Sequence, residues 1–350
     1  MRPAYTLFLR TGSSCNVGCC TCPAGRNEWQ PGNMMKPEML ERIINRIHEF
    51  GSIISATFHF YNEPSMNPHI GELLNVARKH NINRLISTNL TFWKHMPEIL
   101  DSGVENLIIS VSGFTQPIAE RSHKGSDIAI VKANMVKVAH TKKKDTFVRV
   151  SWHRYPYNMH EEQLMRNYTE SLGFQFTPYN TGILPLEKVQ SAFEFYNKGN
   201  KGIFDPIAER DVFTRLEEAF PLCKERKHWT CINQERMITV GSDGTLQPCC
   251  VKNIDDGKKA NLFEVNLEEW NSNRYHDAAC IKCKAIGTHI YAMQRYRTPL
   301  AKEAPLRAIV RNAEDIWRRN NLSAIFPSAA KLWSRINYNR PVKQVDVVTK

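Results

Sequence analysis

The run Cys15-Asn-Val-Gly-Cys19-Cys-Thr-Cys22 sets three cysteines at C-x3-C-x2-C spacing within eight residues. A loop this short offers one metal centre three thiolates and leaves a fourth position open. Thiolates are soft ligands suited to iron–sulfur clusters or zinc, and a [4Fe–4S] cluster held by three of them keeps one iron available to a further ligand. Zinc sites generally pair two short hooks rather than drawing three ligands from one loop, so the cluster is the better reading. Cys20, next to Cys19, points away from any centre its neighbours wrap and reads as a packed or spare thiol. After this loop, short β-rich runs alternate with amphipathic helices, the pattern of a parallel sheet with helical crossovers. Strands are expected near Tyr5–Leu9, Ala56–Tyr61, Arg84–Ser87, Asn106–Val111, Phe147–Trp152 and Phe174–Pro178. Helical periodicity runs through Leu40, Ile43, Ile44, Ile47 and Phe50, then through Leu73, Leu74 and Ala77.

The cysteine spacing resembles the cluster loop of the radical S-adenosylmethionine (radical SAM) enzymes, with Thr21 where that family usually has an aromatic residue. The resemblance implies a partial (β/α)6 TIM-type barrel. It also implies that Cys15, Cys19 and Cys22 ligate a [4Fe–4S] cluster whose open iron chelates S-adenosylmethionine, the source of a 5′-deoxyadenosyl radical. In such barrels the chemistry gathers at the C-terminal strand ends, where several polar residues fall. Tyr61-Asn62-Glu63-Pro64 is similar to the family's Gly-Gly-Glu-Pro segment, so Glu63, with Asn62 beside it, is expected to meet the cofactor's amino group. Independently, a carboxylate at a strand end, before a proline that stops the strand, is well placed to hold an ammonium, although alone it would more often be a helix-start residue. Ser87, Thr88 and Asn89 at the third strand end, and Ser110 and Ser112 at the fourth, match positions where the family sets hydroxyls and amides against the cofactor. The same residue types also serve ordinary turns. Arg149, Ser151 and His153 share one face of the fifth strand; Arg149 and His153 are candidates for facing the cofactor carboxylate or the substrate, with a solvated strand face as the alternative.

A second cysteine field follows two expected helices, Leu184–Asn197 and Pro206–Phe220. Cys231 and Cys249 bracket a hairpin whose turn is Gly-Ser-Asp-Gly244, and Cys280-Ile-Lys-Cys283 comes after Leu-Phe-Glu-Val-Asn-Leu-Glu-Glu-Trp270. This resembles the SPASM/twitch extension of radical SAM enzymes in its shorter, twitch form. The resemblance implies an auxiliary [4Fe–4S] cluster on Cys231, Cys249, Cys280 and Cys283; taken alone, the spacing would suit a structural zinc ribbon. Cys250 can stand in for Cys249 and Cys223 for Cys231, although the Gly-x4-Cys spacing selects Cys249. Cys223 and Cys250 are then thiols near the auxiliary site able to donate a hydrogen atom. The expected organisation is a core at 1–180, a helical linker at 181–222, a cluster domain at 223–294 and a basic helical tail at 295–350.

With 350 residues, 42% hydrophobic and 10% aromatic, the chain can bury a large core and a small second one. Ten cysteines, no signal-type start and no membrane-length apolar run point to a reduced, cytoplasmic setting. From Arg295 onward 12 Lys+Arg face 4 Asp+Glu, a surplus of 8 out of the chain's +12. Such a tail can cover the barrel mouth, meet a phosphate-bearing substrate, or rest on anionic lipid, and most often is simply solvated. Nucleic-acid binding is not indicated. The resemblance implies an electron donor such as flavodoxin or ferredoxin. It also implies a choice of chemistry on a small molecule. With the auxiliary cluster as electron acceptor a carbohydrate-like substrate is oxidised, and with a thiol donor it is epimerised. A maturase acting on a ribosomal peptide or protein side chain is the alternative. The cluster strand starts within ten residues of Met1, leaving no N-terminal leader-binding domain, and this favours the small molecule.

Overall fold

A computed structural model describes residues 3–22, 34–183, 186–205, 215–251, 260–276 and 278–293. Met1–Tyr296 falls in one compact unit; the basic tail expected at 295–350 lies outside the described residues.

Six parallel strands follow the βα pattern: β1 (Ala4–Leu9), β3 (Ser52–Thr57), β4 (Asn83–Thr88), β5 (Asn106–Val111), β7 (Phe147–Arg154) and β8 (Gln175–Asn180). They lie side by side in chain order, each parallel to the next. Their alternation explains the layering. Leu107, Ile109 and Val111 of β5, and Val148, Val150 and Trp152 of β7, are buried in the main core, while the residues between them turn to the other face. The helices that cover the strands are α1 (Pro37–His48), α2 (Ile70–Lys79), α3 (Met96–Asp101), α4 (Gln116–Ser122), α5 (Ile128–Thr141) and α6 (Glu162–Ser171). Proline opens α1, and its apolar stripe Leu40, Ile43, Ile44 and Ile47 is fully buried.

The second strand starts and stops earlier than the Ala56–Tyr61 run suggests. Phe58 still donates to the Leu85 carbonyl (2.9 Å), but the Phe60 N–H is captured by the Asn62 side chain (2.8 Å) and Tyr61 adopts a positive φ of 51°. Both break the ladder. A further pair, β2 (Gly18–Cys19) with β6 (His123–Lys124), ties the cysteine loop to the end of α4.

Helices α7 (Leu186–Asn197), α8 (Leu216–Glu225), α9 (Ile232–Arg236), α10 (Leu267–Asn273), α11 (Ala278–Ile286) and α12 (Thr288–Ala292) make up the C-terminal part. The strands there are β9 (Met237–Val240), β10 (Thr245–Gln247) and β11 (Ala260–Asn261). Residues 206–214 of the expected Pro206–Phe220 helix lie outside the described residues. The β9–β10 hairpin turns where expected, with Gly244 at φ 84°. It does not stand apart, because β9 runs parallel to β1 and the sheet continues as β11-β10-β9-β1-β3-β4-β5-β7-β8. Ile238, Val240 and Leu246 feed the same core as the barrel strands. A second core, centred on Val189, Phe193, Phe220, Cys223 and Ile290, joins α7, α8, α11 and α12.

Candidate active site

The cysteine loop follows β1 directly and is tied into the strand ends around it. The Glu63 N–H donates to the Ser14 carbonyl (2.9 Å), the Cys22 N–H to that of Cys19 (3.2 Å), and the Cys20 N–H to that of Ser122 (3.1 Å). Cys15, Cys19 and Cys22 are each partly exposed. Burial pushes the Cys15 thiol up to about 11 and Cys19 well above its ordinary value, and the mutual repulsion of neighbouring thiolates adds to both. As bare anions these sulfurs oppose one another, so the set fits a cationic iron–sulfur centre that would take the charge. Cys20 turns aside, its sulfur reaching the Tyr155 hydroxyl at 3.8 Å.

Glu63 is buried, and its carboxylate is the hub of this end. Oε1 accepts from the Ser65 N–H (3.1 Å), the Ser65 hydroxyl (2.7 Å) and the Thr88 hydroxyl (2.7 Å), and Oε2 accepts from the Asn89 N–H (2.8 Å). Desolvation raises its pKa, and these donors pull the other way. Three donors crowd Oε1 and one meets Oε2, so Oε2 retains room for a further donor. The Asn89 side chain donates to Asn16 Oδ1 (3.0 Å) and to Cys15 Sγ (3.9 Å), which makes Asn89 the physical link between the thiol loop and Glu63. Asn62 is committed to the loop itself: it donates to the Thr11 hydroxyl (2.9 Å) while holding the Phe60 N–H.

Ser87 and Ser110 are brought together on the inner face, their hydroxyls 3.0 Å apart. Ser112 is not with them. It lies past the end of β5, buried, bonded to the Ser122 hydroxyl and to His123 Nδ1 (2.8 Å), while its carbonyl accepts from Asn158 (2.8 Å). Arg149 and His153 occupy the inner row of β7. The His153 ring packs 5.7 Å from His123 and 5.8 Å from Tyr179, and desolvation lowers its pKa to about 4. His59, which sequence reading passed over, faces the same space. It accepts the Ser87 N–H at 3.0 Å, and burial, with the Arg149 charge adding, lowers it to about 4. A lone histidine after an apolar strand gives no signal of its own.

Cys231, Cys249, Cys280 and Cys283 line one pocket together with Gln190, Asn233 and His289. Burial raises Cys231, to about 11, and Cys283, with the neighbouring thiolates adding, whereas Cys249 is lowered chiefly because the Cys250 thiol donates to it. Four soft thiols around one pocket are a donor set that fits a second iron–sulfur cluster. Cys250 borders this set, its sulfur 3.7 Å from Asn233 Nδ2. Cys223 does not line the pocket; it is fully buried in the second core, where burial raises its thiol to about 12. None of the ten cysteines forms a disulfide. Among the described residues no three His, Cys, Asp or Glu side chains converge on the geometry that a single ion needs.

Residues 9–165 match the model of the radical SAM superfamily, and the chain carries a radical SAM domain over that span. This family implies a [4Fe–4S] cluster and S-adenosylmethionine. No curated protein matches the chain. Among solved structures it is similar to Streptococcus suis SuiB bound to S-adenosylmethionine, with 14% identity and a TM-score of 0.54 over 81% of this chain and 68% of that one. SuiB bound to the precursor peptide SuiA gives 15% and 0.54 over 83% and 71%. Native anSMEcpe with bound AdoMet gives 17% and 0.52 over 90% and 100%. At these identities the likeness is one of fold, a mostly parallel α/β partial barrel. No helix among the described residues is long and apolar enough to cross a membrane.

Proposed function

We propose that the protein is a radical SAM enzyme that abstracts hydrogen from a carbohydrate-like, hydroxyl-rich small molecule and oxidises or epimerises it. The observation that carries this reading is the Asn89 link, which sets Glu63 and the Cys15 thiol of the three-cysteine loop at one end of a parallel sheet. When bound, the cluster and S-adenosylmethionine supply a strong hydrogen-abstracting species. The chain's own residues do the rest. Cys15, Cys19 and Cys22 would hold the cluster, and Glu63 Oε2 would receive the cofactor's ammonium. The inner serines Ser87 and Ser110 would orient hydroxyls, and the strand layers would exclude water from the reacting carbon.

Cys231, Cys249, Cys280 and Cys283 would hold an auxiliary [4Fe–4S] cluster, making residues 223–294 the unit that accepts an electron in the oxidative route. Cys250, at the edge of that set, is the thiol donor for the epimerising route; the core position of Cys223 suits packing better. A flavodoxin or ferredoxin type of partner would reduce the primary cluster. The second reading is a peptide maturase. It is favoured by the extent of the likeness to SuiB, which has been captured with its precursor peptide.

Replacing Cys15, Cys19 and Cys22 together with alanine tests the assignment. S-adenosylmethionine cleavage should disappear while about half of the iron remains, since the two ligand sets are separate. Deoxyadenosine formation at the wild-type rate in that variant would refute the reading.

A further inference from the structure

Asn233 stands where the sulfurs of the C-terminal field meet. It is the second residue of α9, which starts directly after Cys231, and it lines the pocket shared by Cys231, Cys249, Cys280 and Cys283. Its backbone N–H, with that of Gln234, donates to the Cys231 sulfur. Its side-chain Nδ2 lies 4.0 Å from Cys249 Sγ and 3.7 Å from Cys250 Sγ. One residue thus reaches cysteines on both sides of the β9–β10 hairpin.

The amide nitrogen carries two hydrogens and accepts none, so towards thiolates it can only donate, with one hydrogen for each of the two neighbouring sulfurs. The Cys250 thiol in turn donates to Cys249. Cys249 therefore stands at the end of a short chain of donors, and whichever of the adjacent sulfurs takes the metal, the Asn233 amide reaches it. Charge decides what such donors do. Adding an electron to an iron–sulfur cluster increases the negative charge shared with its thiolates, and hydrogen bonds to those sulfurs stabilise the reduced form more than the oxidised one. They raise the reduction potential.

We propose that Asn233 is a positioning residue that sets the potential of the auxiliary site: by hydrogen-bonding the Cys249–Cys250 sulfurs it keeps a cluster there easier to reduce than its four thiolates alone would make it. The inference rests on the proposed auxiliary cluster and deepens that reading by favouring the oxidative route. In that route the hydroxyl-bearing substrate radical gives one electron to the auxiliary cluster and its hydroxyl proton to water, leaving a carbonyl. A higher acceptor potential favours the transfer. The same contacts commit the Cys250 hydrogen to Cys249 rather than to substrate.

The test uses full-length protein, reconstituted anaerobically and titrated through a series of fixed potentials while electron paramagnetic resonance follows the reduced clusters. The triple-alanine variant at Cys15, Cys19 and Cys22, which keeps only the second cysteine set, identifies the auxiliary signal. Asn233→Leu preserves the bulk and removes the donor. At the wild-type midpoint it should raise the oxidised-to-reduced ratio of the auxiliary cluster by about tenfold, the loss expected of one hydrogen bond to a charged sulfur, which corresponds to a fall of about 59 mV for a one-electron couple. In deuterium oxide the reduced wild-type cluster should couple to exchangeable deuterons, and the coupling from the Asn233 amide should disappear in the variant. Should Asn233→Leu not retain its iron, Asn233→Ala is read in its place. A ratio unchanged from wild type, or an unchanged deuteron pattern, at full iron content overturns the inference and leaves the cluster assignment standing. Loss of the auxiliary iron from both Asn233 variants would make Asn233 a structural support and overturn the inference as well. Iron missing from the triple-alanine protein itself would overturn the inference and the auxiliary cluster together.

Discussion

The desolvated histidines of the inner wall should make the fold acid-labile in a traceable way, and His153 offers the cleanest measurement. Its ring makes aromatic contacts with His123 and Tyr179 but no hydrogen bond to a described residue, so Gln in its place removes a titrating group without breaking a polar network. Desolvation holds the folded-state pKa near 4, against 6.5 for the free side chain. A depressed histidine contributes stability that is present above pH 6.5 and is lost as the pH falls from 6.5 towards 4, because the unfolded chain takes up the proton first. Linkage over pH 7 to pH 5 gives a loss of about 2 kcal/mol for such a ring, and water entering the lumen would reduce this to about 1 kcal/mol. The assay is anaerobic urea denaturation at pH 7 and at pH 5, comparing wild type with His153→Gln. Packing lost in the variant, and acid sensitivity of the clusters, act on the absolute values and cancel in the comparison of pH slopes. The variant should lose about 1 to 2 kcal/mol less over this interval. Equal losses in the two proteins would refute a neutral, desolvated His153. Adding His123→Gln should flatten the slope further but less than additively, because the two charged rings repel each other.

Two more outcomes follow from the same geometry. Arg84 is 2% exposed, bonded through its side chain to Glu105 and to the carbonyls of Leu74, Ser102 and Gly103. Arg84→Met should therefore destabilise by about 3 kcal/mol or more, since it strands those acceptors, and an unchanged thermal midpoint would count against it. The Glu63 pKa is raised by desolvation, while an ammonium ligand needs the carboxylate. S-adenosylmethionine affinity should accordingly fall as the pH drops from 7.5 through that raised pKa. Glu63→Gln should bind weakly with a flat profile, and a pH-independent wild type would argue that the ammonium sits elsewhere.

The barrel strands were legible because parallel strands covered by helices must alternate, and Leu107, Ile109 and Val111 or Val148, Val150 and Trp152 carry that alternation in plain sight. The second strand's register was obscured by Phe58, Phe60 and Tyr61, an apolar run that local sequence reads as strand. The Asn62 side chain and the left-handed Tyr61 backbone end it earlier, and neither effect has a periodicity to detect. The pairing of β9 with β1 was illegible for a different reason. More than two hundred residues separate these strands, and parallel pairing at that distance is decided by the packing of Ile238 and Val240 into the shared core. Local turn chemistry reveals the hairpin, not its neighbour. In the site, cysteines announced themselves by spacing. Asn89 and Glu63 were read from strand-end position, but their joint link to Cys15 came only with the fold. His59 needed the structure entirely, since its meaning lies in the Ser87 N–H and the Arg149 charge across the lumen.

Tyr61 brings the two cysteine sets into one account. It stands where similar segments have glycine, and it keeps the positive φ that glycine would adopt at no cost. A non-glycine residue there is strained by about 1 kcal/mol or more, so the side chain must return something that glycine cannot. The ring packs tilted against Phe60, with centroids 4.6 Å apart. Burial raises the phenol's pKa, and the Cys250, Cys22 and Cys249 thiolates add to the rise in that order. The same hydroxyl therefore feels a sulfur of the N-terminal loop and two sulfurs of the C-terminal field, although Cys22 and Cys249 are 227 positions apart by their numbering. The β9–β1 pairing is the structural cause: it draws the hairpin, and with it Cys249, alongside the strand that leads into the Cys15 loop. A free-standing cluster domain could reach the barrel in many poses, whereas a hairpin hydrogen-bonded into the barrel's own sheet has one. The sheet that positions Glu63 against the first cysteine set thus also fixes where the second one stands.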